Sequence, residues 1–505
     1  MAEYLKFSII INIKQFNRYF NLLIFILISV FFCYQVFSQD FVNTNSEEIY
    51  VINSFIFIVD GITKPFALNQ ITEFYTGEEI TGYLNLLGFL QRKTQLLNNQ
   101  RLFESIEIDY SIVQKQDDGN YPVDLIIYIK DSWNFIILPY PKYDSNSGLE
   151  LVLKLRDFNF LGTMQPLKLD LGYKYTIDKQ SIFSLNQNIN YPFEAFALKW
   201  DFVFNNDLEY HFGIEKPFYF KNITGLYTEF PVLHSALTVG ISKNFIYNDD
   251  NYDGFYISSI PQVSWSLPTG ILIGNYNEII YNAELSAVFN LFLPSEFNQS
   301  PLLIFFHNLE FEYINWKGNF RQGFFASFEN SYSYNFYNLI NDLNPWIFNF
   351  NLNSTIHYLI IDDILGISAK FLYNHWINSS DDKAGMQLRG VYNNQVVSQV
   401  LLLLNFDLHI RALRVLPSHW FPNILFMRVF DFDLHLNPVF DFAWYKHPDK
   451  ELSFLKENFL IGAGFEIIVF PHRFRNMFLR FSAAWNLYNV NNSPVELFLG
   501  MDLHY

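Results

Sequence analysis

The feature that most constrains this chain is a two-residue alternation that recurs from Trp133 onward, with charge on every second position of otherwise apolar runs. In "LKLDLGYKY", Leu167, Leu169, Leu171, Tyr173 and Tyr175 take one face, and Lys168, Asp170, Gly172 and Lys174 the other. In "FDFDLHLN", Phe430, Phe432, Leu434 and Leu436 oppose Asp431, Asp433, His435 and Asn437. In "LNFDLHI", Leu404, Phe406, Leu408 and Ile410 oppose Asn405, Asp407 and His409. Successive strand side chains point to opposite faces, so these segments form a sheet with one apolar and one polar, charged face. Two architectures satisfy that pattern. A soluble sandwich packs apolar faces together, and a transmembrane barrel turns them to lipid with the polar face lining a lumen.

Composition helps to choose. Half of the 505 residues are hydrophobic, 19% are aromatic and only 16% are charged, where soluble domains carry roughly a quarter charged residues. After residue 37 no apolar run reaches the roughly 18 residues of a membrane helix. "FASFENSYSYNFYNL" sets Phe328, Tyr332, Tyr334 and Phe336 on one face. Trp200, Trp265, Trp316 and Trp444 stand where strands begin or end, as aromatic girdles do. The expected fold is mainly β, an antiparallel transmembrane β-barrel. At roughly ten residues per span plus turns, its length gives about 16 strands. A net charge of −17 argues against nucleic acid as a partner.

Residues 49–131 differ from the rest. "IYVINSFIFIVDGI" reads as a strand. Leu84, Leu87, Leu90, Leu96 and Leu97 recur at helical spacing through residues 80–103, and "FESIEIDYSIV" and "YPVDLIIYIKD" read as two further strands. This is a small α+β domain ahead of the barrel. Before it, Lys6, Lys14 and Arg18 precede the apolar run at 20–32 and the small residue Ser38. That order reads as a secretory signal over 1–38, followed by a linker at 39–48; the rival is an uncleaved membrane anchor. Cys33 is the single cysteine, so there is no internal disulfide and no cysteine-based metal site.

No phosphate loop, nucleophile elbow or His-Glu-x-x-His pattern occurs, and no catalysis, cofactor or metal is assigned. His409, His435, His472 and His504 fall on strands or in loops. Asp362–Asp363 and Asp381–Asp382 read as solvated loop charges rather than a calcium site.

With these parts in place, the chain from about residue 49 to its last residue resembles the outer-membrane barrel-assembly superfamily, the BamA- and TamA-like bacterial surface antigen proteins. The strand–helix–helix–strand–strand module and "LLNNQRLFESIEI" are similar to a single polypeptide-transport-associated (POTRA) domain. "SWNFIILPYPKYDSNSGLELVLKLRDFNFLG" is similar to the start of the family's barrel, with Asp157, Asn159 and Gly162 in its first turn. "LRGVYNN" is similar to the family's sixth surface loop, which folds into the lumen. The resemblance implies that Arg389, Gly390 and Tyr392 lock this loop, with Asp407 and Asp441 as carboxylate partners of the arginine. Gly500, Leu503 and Tyr505 match the family's last strand and its terminal aromatic signal. The resemblance further implies a barrel (132–505) in the bacterial outer membrane and a POTRA domain (49–131) in the periplasm. Expected partners are outer-membrane lipid, unfolded outer-membrane or secreted polypeptides, and accessory periplasmic proteins. The function expected is assembly or translocation of those polypeptides. The alternatives are a passive channel or transporter barrel and a two-partner-type secretion pore.

Overall fold

A computed structural model describes residues 48–113, 120–146, 148–176, 179–196, 198–215, 217–232, 235–248, 252–273, 277–294, 300–341, 343–381, 383–392, 396–450, 458–487 and 495–501. The expected signal and linker at 1–47, together with Leu503, His504 and Tyr505, lie outside them.

The leading module is a sheet of β1 (Ile49–Asp60), β2 (Glu79–Thr81), β3 (Phe103–Ile112) and β4 (Tyr121–Asp131), in the order β2-β1-β4-β3. β1 and β4 run parallel, and β3 is antiparallel to β4. Two helices, α1 (Pro65–Thr72) and α2 (Tyr83–Asn99), connect β1 to β3. Pro65 stands at the first turn of α1, where its missing N–H costs nothing. Ile52, Leu68, Leu86, Leu97, Val123, Leu125 and Ile127 are almost completely buried between helices and sheet. Each such side chain contributes about 1.5–3 kcal/mol.

The rest of the chain forms a closed barrel of 18 antiparallel strands, β5 (Phe135–Asp144) to β22 (Glu496–Gly500), in chain order around the cylinder. More strands fit than the sequence-based allowance of about 16 because several turns at the module's end are very short, such as 318–319 and 362–364.

The burial pattern decides between sandwich and barrel. On β18 (Val400–Val415) and β19 (Phe432–Lys446), Asn405, Asp407, Asp433, His435, Asn437 and Asp441 are buried. Their apolar neighbours Phe406, Leu436 and Phe440 are exposed. A soluble fold would do the reverse. Closure removes both sheet edges, as hydrocarbon requires of a spanning sheet. The polar face therefore lines the lumen and the apolar face meets lipid.

The four tryptophans do not behave alike. Trp200 is near the start of β9 (Leu198–His211), and Trp444, buried, near the end of β19. Trp265 lies mid-strand in β12 (Phe255–Ile273). Trp316, at the end of β14 (Leu302–Lys317), is covered by the module instead, with the Arg101 guanidinium 4.3 Å from its ring centre.

The module lies across the barrel mouth. The turn after β6 (Gly148–Asp157) enters the module's core, with Phe158 and Met164 packed among its buried residues. Asn159 is fully buried there. Its amide donates to Thr63 Oγ1 at 2.6 Å, and its Oδ1 accepts from Met164 N at 2.8 Å. Gly162 has φ +75° and its carbonyl accepts from Lys64 N at 2.9 Å; a Cβ would run into the Ile62 carbonyl. Asp157 holds this turn by accepting from Asn159 N at 3.0 Å. On the far side, the end of α2 meets the turn between β14 and β15 (Phe320–Asn335). Asn99 Nδ2 donates to Asn315 Oδ1 at 3.0 Å, and Trp316 N donates to Asn99 Oδ1 at 3.1 Å. Arg101 donates to the Gly318 carbonyl at 2.9 Å and to the Arg475 carbonyl at 2.5 Å.

The inverted burial predicts a face-dependent cost of charge. Phe440→Lys on the lipid face should destabilise the membrane-inserted barrel by about 2–4 kcal/mol. Ser331→Lys, opposite Asn349 on the lumen face, should cost far less. Urea titration in lipid vesicles measures both, and equal costs would contradict the assignment of faces.

Candidate functional site

The connection 378–399 between β17 (Leu365–Ile377) and β18 turns back into the lumen. Its neck is closed by reciprocal backbone bonds between Asp381 and Ser398, each 2.8 Å. Beyond the neck comes a 3-10 turn, Ala384–Gln387, and then Leu388, Arg389 and Gly390.

Arg389 is 4% exposed, a position that water cannot stabilise. Asp441 binds it with both oxygens: Arg389 Nε donates to Oδ2 at 3.0 Å and NH2 to Oδ1 at 2.5 Å. The Arg389 backbone N–H also donates to Asp441 Oδ2, at 2.8 Å. Asp407 Oδ1 lies 2.6 Å from NH1. These fork-like contacts use the planar guanidinium in a way an ammonium does not reproduce.

The structure adds two charges that sequence reasoning missed. Glu466 on β20 (Phe459–Pro471) stands 3.6 Å from Arg389 NH1 and accepts from Arg480 NH1 at 3.0 Å. Arg480 belongs to β21 (Leu479–Asn486), and its guanidinium lies 4.4 Å from the centre of the Phe498 ring. Three carboxylates thus face two guanidiniums in a buried stretch of the wall. The signal for Glu466 was available: it occupies the polar register opposite Asn437, as Asp441 does opposite Gly462.

Gly390 has φ +83°, and a Cβ there would come within 2.6 Å of the Trp485 carbonyl carbon. Its N–H donates to Glu496 Oε2 at 2.5 Å. Glu496 in turn accepts from Asn146 Nδ2 at 3.2 Å, which belongs to the first hairpin. Across the wall, Gly462 leaves room for the Arg389 carbonyl, into which a Cβ would project. The Arg-Gly step therefore touches side chains or backbone of every strand from β18 to β22.

An apolar cluster anchors the loop beside the charges. Leu388, Val391 and Val396 pack with Leu372, Leu401, Leu403 and Ala443, all buried. The residue next to the glycine that fills this cluster is Val391; Tyr392 is partly buried. Leu401 and Leu403 continue the inward register of Asn405 and Asp407, so the lumen wall itself becomes apolar where the loop docks.

The barrel closes where β22 meets β5, with Phe498 opposite Asp144 and Leu499 opposite Tyr143. Ser145 N donates to the Leu497 carbonyl at 3.0 Å, and Tyr140 OH to the Leu499 carbonyl at 3.3 Å. By contrast, β14 and β15 pair without interruption from Leu302–Asn335 to Lys317–Phe320. Gly500 is buried, and a Cβ would strike the Phe498 ring. The glycine thus makes space for that inward ring.

The histidines lie in a hydrogen-bonded row. Asn437 Nδ2 donates to His409 Nδ1 at 2.9 Å, which leaves His409 Nε2–H to donate to Ser368 Oγ at 2.8 Å. Ser368 then donates to His357 Nδ1 at 2.6 Å. Among the described residues no group of acidic, histidine or cysteine side chains is arranged to hold a metal. Asp363 is a solvent-accessible turn charge that also pairs with Arg411 and, at 3.1 Å, with Arg414. Asp382 lies outside the described residues.

No protein-family model matches the chain, and no curated protein does. Among solved structures, CdiB from Acinetobacter baumannii is 11% identical with a TM-score of 0.48, over 89% of this chain and 73% of that one. BamA from Haemophilus ducreyi lacking POTRA domains 1-3 is 13% identical with a TM-score of 0.35, over 89% and 83%. CdiB from Escherichia coli is 7% identical with a TM-score of 0.35, over 92% of each chain. Likenesses this loose carry no argument, and the functional reading rests on the chain's own geometry.

Arg389→Ala leaves three carboxylates facing one arginine, and should lower barrel stability by about 3–5 kcal/mol. Arg389→Lys restores the charge but not the fork, and should recover only part of that loss. Heat-dependent gel mobility after refolding measures both; full recovery by lysine would argue against recognition by a planar, two-pronged contact.

Proposed function

We propose that this chain is an assembly or translocation factor of the bacterial outer membrane, with the module in the periplasm and unfolded outer-membrane or secreted polypeptides as substrates. The reading places it with the outer-membrane barrel-assembly superfamily, which its module, lumen loop and first hairpin resemble. Accessory periplasmic proteins are the further partners this implies.

The observation that carries the reading is the link from lumen loop to seam through Gly390, Glu496 and Asn146. In a passive pore a loop need only line the wall. Here it bonds to the last strand, and the last strand bonds to the first hairpin. The described part of the seam is short, so its backbone groups are the ones an incoming strand can compete for. A substrate strand arriving there gains the ladder bonds that hydrocarbon withholds. Upstream, β3 pairs with β4 alone among the described strands, leaving one side of Phe103–Ile112 for strand addition. Its outward side chains Glu107 and Asp109 keep that edge from pairing indiscriminately.

The channel reading fits less well. The module's helix end and the β14–β15 turn reach over part of the mouth. Asn319 from that turn donates to Asp433 at 3.0 Å, and Phe320 packs 4.8 Å from His435, both on β19 across the lumen.

Tyr143 and Leu499 are opposite one another in register, so Tyr143→Cys/Leu499→Cys in a Cys33→Ser background can lock the seam as a disulfide. Oxidation should abolish barrel insertion, and reduction should restore it. Insertion that proceeds unchanged with the bond formed excludes the lateral route. Secretion that continues with the seam locked, through a lumen that conducts in planar bilayers, identifies a pore instead.

A further inference from the structure

The connection between β18 and β19, residues 416–431, does not match its neighbours. The other described turns at the module's end are shorter, as at 318–319, 362–364 and 472–478, and the nine-residue one at 158–166 is buried in the module's core. The 416–431 connection runs "LPSHWFPNILFMRVFD" through a helical turn, Pro417–Trp420, and a 3-10 turn, Leu425–Phe430. Its polar groups are gathered at the neck. Ser418 N and Oγ donate to the Asp431 carboxylate at 3.0 and 2.6 Å, and His472 N donates to the Asp431 carbonyl at 2.8 Å.

What remains is apolar and uncovered: Trp420 is 67% exposed, Phe421 52% and Ile424 46%. A soluble surface rarely presents so many large apolar side chains together without a partner. Two observations say what that partner is. Phe430, at the end of the 3-10 turn, is exposed directly before the strand that carries Phe432, Leu434 and Leu436 outward, while Leu413, paired with Leu434, is exposed on β18. The apolar surface of the segment is thus an extension of the barrel's lipid-facing band. Arg428 is exposed on the same segment, which sets a guanidinium beside the aromatics, as headgroup phosphates require.

We propose that residues 416–431 form a lipid anchor that lies in the membrane interface at the module's end of the barrel. Trp420, Phe421 and Ile424 enter the acyl boundary of that leaflet, and Arg428 stays at the phosphates. The occupant is a phospholipid monolayer, not a protein. The anchor pins the hairpin that carries Asp407 and Asp441, fixing the depth of the wall against which the lumen loop docks. This rests on the membrane-embedded reading of the barrel.

The test uses the full chain with Cys33→Ser, labelled with an environment-sensitive fluorophore at Asn423→Cys, which keeps the aromatics in place. Phe440→Cys on the lipid face and Asp449→Cys in an outer loop are the controls. In phosphatidylcholine–phosphatidylglycerol vesicles with nitroxide lipids, the label at 423 should lose most of its fluorescence to a quencher near the headgroup and less to one deep in the chains. The label at 440 should respond chiefly to the deep quencher, and that at 449 to neither. A label at 423 that ignores both lipid quenchers while 440 responds overturns the anchor and leaves the barrel standing. Protection of 423 from lipid quenchers and from aqueous iodide alike also overturns it, in favour of a protein contact. Loss of the response at 440 removes the embedded barrel and the anchor with it.

Discussion

Hydrocarbon gives a peptide group nothing to bond to, and the organisation of this chain follows from that constraint. A sheet in lipid must close on itself, and closure turns the polar register inward. In a wide, water-filled cylinder those inward groups would be solvated. Here much of the wall from β16 (Trp346–Ile361) to β21 is buried: Asn405, Asp441, His435, Asn437 and His357 are essentially inaccessible. Several of these groups pair with one another, as Asp441 does with Arg389 and His409 with Asn437 and Ser368, so part of the inside of the cylinder behaves as a polar core with specific pairings.

The lumen loop belongs to that core. Asp407, Asp441 and Glu466 project from three adjacent strands, and alone they would repel one another in a low dielectric. Arg480 offsets one of them. Lys370 of β17 also faces Asp441, and the remaining cation comes from Arg389, carried in by a loop whose backbone needs Gly390 and Gly462 to approach closely enough. The wall is therefore incomplete without the loop, and the loop's guanidinium has no stable place outside the wall. Because the same dipeptide also bonds to Glu496, the electrostatic balance of the wall and the fastening of the last strand are parts of one arrangement.

How much of this could be read from residues alone depends on the range of each interaction. The alternation in "FDFDLHLN" reports a local geometry, with period two, so the two-faced sheet and the inward placement of Asp407 and Asp441 were accessible. Strand number was less so, because it accumulates turn lengths that hydropathy does not encode. Glu466, Arg480 and Glu496 are distant in sequence from Arg389, and only register across β19 to β22 brings them to it. The pocket beside the glycine is assembled from Leu388 of the loop with Leu401 and Leu403 of β18 and takes Val391, while Tyr392 is partly buried next to it; no local pattern encodes a pocket built from separate elements. The ion pairs of Asp363 are not legible in sequence because its arginines approach from β18, beyond the reach of any local pattern.

The module's attachments to the barrel differ in kind, and that difference sets which of them can yield. At the turn after β6 the contact is a shared hydrophobic core, with Met164 buried in the module, reinforced by Asn159 and the Gly162 carbonyl. Separating it exposes apolar surface and strands a buried amide. At the turns after β14 and β20 the contact is mainly hydrogen bonds from Gln95, Asn99 and Arg101, groups that water can satisfy once released. Such bonds contribute about 0.5–1.5 kcal/mol net apiece, and their loss leaves no cavity. A swing of the module about the first turn would thus uncover the mouth while keeping the core intact. It would also free the β14–β15 turn, whose Asn319 and Phe320 reach across the lumen to Asp433 and His435. The module is thus held to the barrel by polar contacts at the turns after β14 and β20 and by an apolar core at the turn after β6, and the polar set is the one that water can replace.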